Sequence, residues 1–542
     1  MKSGTPALGD SLILGQRIYT HYPYRRYGEA LVIRDGRVVA CVSRRAARSL
    51  RSRRVRVADF GDAVLTPGLV DSHTHFFYWA LHRELVIDVT HEMSLDATLR
   101  RIAAEAPRRK IGDWIVSRGF EINVWGTGFP SAADLDLATG EVPAIVRSRD
   151  GHCAWLNTAA MRRVGIHAQF PDPPGGRILR DSAGRATGVV QESAVDALPN
   201  PIVELAQRTD AAARRVVDRA LSSAYREAWS FGFCGVHALD DAASLSHFQR
   251  QRSAGTLGFR VVHSIPHAEM SRAIALGLRS GIGDDWLRVG AIKIFSDGTL
   301  GSRTALMFDA YPGMADPASR FGVGVVTGEE LRDAVVKAAR HGWAVWIHAI
   351  GDRAAHECVA AIAAARKVES ARLPHRIEHA QCVRPADIRA MARLGIITSV
   401  QPCHMLSDIP VADRNWPRAR KHAFPLRRFF DAGLCVPFGS DVPVEPIDPR
   451  RGLFAAVARR DEHGNPSAGW HREQRVTIQQ ALAGFTEHAA RSVGDAAPRG
   501  TLLPGAPADV TIWGGDPLQA SFDELRELPI RGCAIAGVCH VD

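Results

Sequence analysis

Hydrophobic and polar positions follow two rhythms along this chain. Near the start, ALVIRDGRVVACV (30–42) places two alternating apolar runs around an Asp-Gly pair, which predicts a β-hairpin. GAPADVTIWGGDP (505–517) and CAIAGVCHV (533–541) repeat that style near the end. Two all-β fragments at opposite ends predict one small shared sheet domain. The middle behaves differently: short apolar, β-branched runs alternate with Ala/Arg-rich amphipathic stretches. The runs are LVDSHTHF (69–76), FCGVHAL (233–239), FRVVHSI (259–265), RVGAIKIFSDG (288–298), WAVWIHAI (343–350), HRIEHAQ (375–381), GIITSVQP (395–402) and VPFGSDVP (436–443). Helical patterns such as 329–341 and 385–395 lie between them. The runs are apolar throughout, as parallel strands covered on both faces require. Eight such strands with intervening helices predict an α/β fold, a TIM-like (β/α)8 barrel.

One gap breaks the rhythm. The first barrel strand ends near His75 and the second begins near Phe233, far beyond the roughly 30 residues of a βα unit. Residues of about 77–230 therefore read as an insertion after strand 1, emerging at the catalytic end of the barrel. It contains the turn-rich stretch 170–188.

Composition changes this picture little. The 542 residues are 46% hydrophobic and 23% charged, a globular balance. No apolar run reaches signal-peptide or membrane-spanning length, which predicts a cytoplasmic protein with no membrane partner. Nine scattered cysteines, without a C-x-x-C pair, fit neither a disulfide framework nor a zinc–thiolate site. The net charge of +10 comes almost wholly from arginine, with lysine only at 2, 110, 293, 337, 367 and 421. The Arg-rich stretch 44–57 reads as an alternating, solvated strand region, and no nucleic-acid motif accompanies the charge.

Chemistry concentrates at the ends of the predicted barrel strands. In His73-Thr74-His75, residues two apart on a strand face the same way, so both imidazoles meet one cavity and can serve as nitrogen ligands. Alone the triplet is weak, because buried, satisfied histidines are commoner than ligands. His348, His379 and Asp441 raise its meaning, since each ends a different strand at the face where barrel enzymes gather catalytic groups. Burying such groups unpaired costs on the order of 2–7 kcal/mol each, which argues for a shared metal. Lys293 stands inside the apolar run AIKIF of a lysine-poor chain, where burial demands a partner. Its neutral amine can add CO2 and become a carbamate ligand bridging two metals; alternatively its ammonium pairs with an acidic group.

This ordered set resembles the amidohydrolase superfamily. TPGLVDSHTH, RDGHCAWLN, GAIKIFSDGTLGSRTA, HAIGDRA, RIEHAQ and PFGSDVPVEP are similar to its YtcJ-like branch, which includes N-substituted formamide deformylase, over about 28–541. The resemblance implies a composite β-sandwich domain from 1–66 with 494–542, beside a metal-dependent barrel over 67–493. It places His73, His75, Lys293, His348, His379 and Asp441 at the metal centre. It also implies a divalent metal, expected to be Zn²⁺ as one or two ions, and a carboxylated lysine. His152 and Glu192 match motifs of the branch, and Asp297, Arg303 and Asp352 leave the catalytic face after strands 4 and 5. All five are candidates for substrate binding, set against loop capping or packing, and Asn157 reads equally as a turn or cap residue.

The expected function is hydrolysis of a carbon–nitrogen, non-peptide bond of a small molecule, an amide or N-substituted formamide. Metal-activated water attacks, with Asp441 as general base and then acid. Ester or lactone hydrolysis, deamination, decarboxylation and isomerisation on the same scaffold stay open, because substrate identity lives in the loops. A non-catalytic scaffold or binding protein is the second alternative. The expected partner is a small-molecule substrate and not nucleic acid, with a homodimer left open.

Overall fold

A computed structural model describes residues 10–541 except 25, 127, 150–152, 168, 169, 174, 175, 315, 318, 462, 496 and 497. The chain divides into two units, Met1–Phe76 with Tyr225–Asp542, and Phe77–Ala224.

The first unit holds the barrel. Its seven strands are β1 (Leu69–Thr74), β2 (Phe233–Ala238), β3 (Arg260–Pro266), β4 (Leu287–Phe295), β5 (Val345–Ala349), β6 (Arg376–His379) and β7 (Ile397–Ser399). They pair in parallel and in chain order. The eighth expected strand, 436–443, is not a regular strand. It still closes the barrel: Val400 N donates to Pro437 O (3.0 Å) and Gly439 N to Val400 O (3.0 Å) on one side. Ser72 N donates to Phe438 O (2.9 Å) and Asp441 N to His73 O (2.8 Å) on the other. Pro437 and Pro443 bring no amide hydrogen, and Asp441 has φ +60, so an unbroken ladder cannot form.

The intervening helices follow from their sequences. Gly328–Arg340 buries Leu331, Ala334, Val335, Ala338 and Ala339, one stripe at helical spacing. Glu329 and Glu330 open it and Lys337 and Arg340 close it, matching the helix dipole at both ends. Pro385–Leu394 starts on a proline and stops at Gly395, whose φ of +61 suits a left-handed cap.

Strands from both chain ends share one eight-stranded sheet. Val510–Trp513 lies between Val64–Pro67 and Ile530–Ile535, antiparallel to both. Ile13, Leu31, Leu65, Val510, Ile512 and Ala534 form a common core there. The Arg-rich stretch departs from expectation: Arg44–Leu50 is a helix capped by Ser43, and a strand begins only at Arg56. Alanine and arginine are good helix formers, and only Ala47 of that helix is buried. All nine cysteines are free thiols.

The second unit has its own seven-stranded mixed sheet. The turn-rich 170–188 prepares an antiparallel pair, Gly176–Arg180 with Ala186–Glu192. Asn157 is a cap: its Oδ1 accepts from Ala160 N at 2.8 Å, opening the helix Thr158–Val164. Among the described residues, no helix is long and apolar enough to cross a membrane.

Candidate metal centre

Parallel strands deliver their C-terminal residues to one end of a barrel, and here that end gathers imidazoles and carboxylates. One ligand atom each from His73, His379 and Asp441 lies within 4.8 Å of the other two, and all three residues are buried. His73 comes from β1, His379 from the end of β6, and Asp441 from the irregular eighth segment. His75 follows β1 instead of lying in it, with Nε2 3.5 Å from Asp441 Oδ1. The His348 ring of β5 stands 4.4 Å from that of His379. Lys293 of β4 is 3% exposed, and its Nζ sits 4.8 Å above the Phe295 ring.

Backbone geometry makes this convergence. On a regular strand, Glu378 and His379 would face opposite sides. His379 has φ +68 and Ala380 φ +44, so the alternation breaks at the end of β6. Glu378 then reaches His73 Nδ1 at 2.7 Å while the His379 ring approaches the His73 ring at 4.7 Å. Asp441 shares the left-handed conformation. Non-glycine residues held there cost of order 1–3 kcal/mol each and cluster at functional sites.

The protonation pattern fits a bound cation. Glu378 only accepts as a carboxylate, so His73 Nδ1 carries the proton and Nε2 keeps its lone pair toward Asp441, 3.5 Å away. His348 Nε2 donates to Gly298 O at 3.1 Å, which leaves its Nδ1 lone pair free. Burial, reinforced by neighbouring positive charge, holds His73 and His379 far below the ordinary imidazole range, His75 at about 4 and His348 at about 3. Neutral imidazoles are the metal-binding form. Lys293 Nζ, His379 Nδ1 and Asp441 Oδ1 are buried without a hydrogen-bond partner among the described residues. Such atoms cost about 1–3 kcal/mol unless something meets them, and a cation meets the nitrogen and the oxygen. Burial lifts the Asp441 carboxyl to about 8, against the pull of Lys293 and with a push from Asp71 and Glu378. Burial lowers the Lys293 amine to about 8, although Glu378 and Asp441 oppose the shift.

The loop candidates divide. Asp297 is turned onto backbone, accepting from Leu306 N (2.8 Å), Ile350 N (3.0 Å) and Gly351 N (2.8 Å), and it lies 3.6 Å from His348 Nε2. Asp352 accepts from Phe308 N at 3.0 Å. Both carboxylates fasten the loop after β4 to the region after β5. Arg303 lies in that loop, half-buried, with φ +59. Glu192 ends a strand of the second unit, exposed, with φ +53. His152 lies outside the described residues.

Four residues of the site escaped sequence reasoning. Glu378 and Arg376 form a fully buried ion pair at 2.7 Å. Arg376 also donates to Ser72 O (2.7 Å) and Ser399 Oγ (3.0 Å) and stacks on Trp346 at 4.1 Å. Asp71 accepts from the backbone of His73 and Ser440, tying β1 to the eighth segment. His404 places Nε2 3.7 Å from Asp441 Oδ2. The signal for Arg376 and Glu378 was available: charges inside an apolar run, as for Lys293.

Known proteins resemble the chain along nearly its whole length. The family described as the amidohydrolase family matches residues 56–540. A YtcJ protein of Bacillus subtilis (strain 168) that carries an amidohydrolase name is 30% identical over 535 residues, spanning 96% of this chain and 98% of the relative. An N-substituted formamide deformylase of Arthrobacter pascens is 26% identical over 553 residues, spanning 98% of each. The crystal structure of an uncharacterized metal-dependent hydrolase from Pyrococcus horikoshii OT3 superposes with a TM-score of 0.79 at 24% identity, covering 95% of this chain and 99% of that one.

Proposed function

The chain belongs to the amidohydrolase family, and from that premise we propose that it is a metal-dependent hydrolase of a carbon–nitrogen, non-peptide bond in a small molecule, an amide or N-substituted formamide. The observation that carries this reading is the meeting of His73, His379 and Asp441 within 4.8 Å, with the inward nitrogen of His73 already deprotonated by its tautomer. Imidazole and carboxylate donors without thiolate suit Zn²⁺. A divalent cation there supplies Lewis acidity, polarising a carbonyl oxygen and acidifying water.

The chain's own groups do the remainder. His73, His75, His348 and His379 present neutral rings, and Glu378 fixes the orientation of the first. Asp441 takes the proton of the attacking water and returns it to the departing nitrogen, base and then acid on one carboxylate. Lys293, depressed by burial, keeps a fraction of neutral amine near neutral pH that can add CO2, forming the N–C bond of a carbamate and releasing one proton. That carbamate would give a second cation its oxygen ligand.

The test is a panel of N-substituted formamides, other amides, lactones and esters, offered to chelator-stripped and zinc-restored protein with mass analysis of the products. We expect C–N cleavage only after restoration, with formate or another carboxylate released. Asp441→Asn should lower the rate by about 10²–10⁴. Turnover by metal-free protein, or turnover confined to esters and lactones, would overturn the reading.

A further inference from the structure

His404 belongs to none of the ligand positions named so far, yet it faces the same centre. It ends the short 3-10 turn Pro402–His404 that follows β7. Its ring stacks on His379 at 6.0 Å with an interplanar angle of 18°. The residue is 7% exposed, and its Nε2 is buried, 3.7 Å from Asp441 Oδ2, with no hydrogen-bond partner among the described residues.

Two neighbours bear on where its proton lies. Gln381 Nε2 stands 3.3 Å from His404 Nδ1 and 3.4 Å from Asp408 Oδ2. Burial raises the Asp408 carboxyl to about 7, and above that pH, where it is ionised, turning the amide round would set its oxygen against the carboxylate. An amide N–H therefore points at Nδ1, which must offer a lone pair. The single ring proton sits on Nε2. A ring in that tautomer cannot ligate through Nε2, although the atom lies about as close to Asp441 as the Nε2 atoms of His73 and His75 do. It is instead an N–H donor aimed at the place where Asp441 would work on a substrate.

We propose that His404 is a catalytic residue whose Nε2–H donates to the acyl oxygen of the substrate, with Asp408 and Gln381 as the positioning residues that fix its tautomer. The donor is set before the reaction and needs no proton transfer, so it acts on charge that develops at that oxygen. It also selects. Substrates with an sp² oxygen on the reacting carbon, such as amides and formamides, satisfy the donor. Amidines, which are protonated to amidinium at neutral pH and present only N–H groups there, leave it unpaired.

This proposal rests on the hydrolase reading above, and the test lets the two fail separately. Zinc-loaded wild type, His404→Ala, His404→Gln and Gln381→Glu are compared in four measurements. These are zinc content, ¹⁵N shifts of the labelled imidazoles, binding of acetohydroxamate as a carbonyl probe, and kcat and KM on a formamide that the wild type cleaves. The wild-type spectrum should show His404 protonated on Nε2. His404→Ala should keep its zinc, bind acetohydroxamate about tenfold more weakly, and lose about 10²–10³ in kcat with little change in KM, the usual cost of one such donor. His404→Gln, which retains an amide N–H, should recover part of that loss. Gln381→Glu should move the proton to Nδ1, with kcat falling alongside.

Zinc lost in His404→Ala would make His404 a ligand and overturn the proposal. A wild-type proton on Nδ1, or unchanged acetohydroxamate binding in His404→Ala, would do the same. If the wild type cleaves no formamide or amide, the hydrolase reading fails, while the spectrum and the probe still decide the role of His404.

Discussion

Glu378 joins two buried demands at one carboxylate. One oxygen accepts a hydrogen bond from His73 Nδ1–H, and the group balances the Arg376 guanidinium, with all three residues almost fully excluded from water. Glu378→Gln keeps the shape but strands the guanidinium. Breaking a buried pair costs roughly 3–5 kcal/mol. Loss of a carboxylate behind a metal-binding histidine costs about 10–100-fold in affinity. Both effects are expected: a lower melting temperature, and weaker zinc retention in competition with a chelator. Unchanged zinc affinity would separate Glu378 from the centre. The six candidate ligands were legible because each is an unusual residue within an apolar run or at its end. Their partners were not, because hydrogen-bond pairing is a property of space: Glu378 lies 305 residues from His73. For Asp297 and Asp352 the two readings, substrate contact and loop fastening, look the same in sequence, and each carboxylate accepts from loop backbone.

Among the elements, the eighth segment shows most clearly what pattern reasoning can miss. Its apolar run announced a strand, and its position between β7 and β1 is that of a strand, but two prolines and the φ of Asp441 replace a ladder with a few hydrogen bonds. The irregularity has a use: it turns Asp441 toward the histidines. Gly439 makes the close approach workable. A Cβ there would lie 2.6 Å from His73 N, 2.8 Å from His73 Cβ and 2.9 Å from Asp71 Oδ1. Backbone cannot yield as a flexible side chain can, so Gly439→Ala should displace β1 and the ligand it carries. We expect overpacking of about 1–3 kcal/mol, seen as a lower melting temperature, together with reduced zinc content. Full zinc occupancy at wild-type stability would show that the segment accommodates the methyl group. The two helices read at 329–341 and 385–395 were predictable almost to the residue, because an amphipathic stripe with charged ends requires no distant partner.

For the molecule as a whole, acid is the condition to which its buried histidines respond. His263 and His488 lie away from the metal candidates, and burial holds each at about 4. His488 Nδ1 accepts from Val436 N at 2.8 Å, a bond that protonation removes. A folded-state value below the ordinary 6.5 means that the unfolded chain binds the proton first. The penalty is absent above about pH 6.5 and grows as pH falls toward 4, reaching roughly 3 kcal/mol for each group. The melting temperature of metal-free protein should therefore drop across that window, and His263→Gln should flatten the drop; an equally steep profile would count against the assignment. The joining of the chain's two ends was legible as matching β style, whereas the strand order was not, since style carries no register. That joined sheet has a consequence for how the protein is made. Trp513 and Thr66 are hydrogen-bonded across 447 residues of chain. At about 5–20 residues per second, the edge of Val64–Pro67 leaves the ribosome roughly 20–90 s before its partner strand exists. During that interval it is an open template on which a neighbouring nascent chain can pair. A gene rearranged so that the two ends are translated together would close the sheet at once, and would spare the cell that period of exposure.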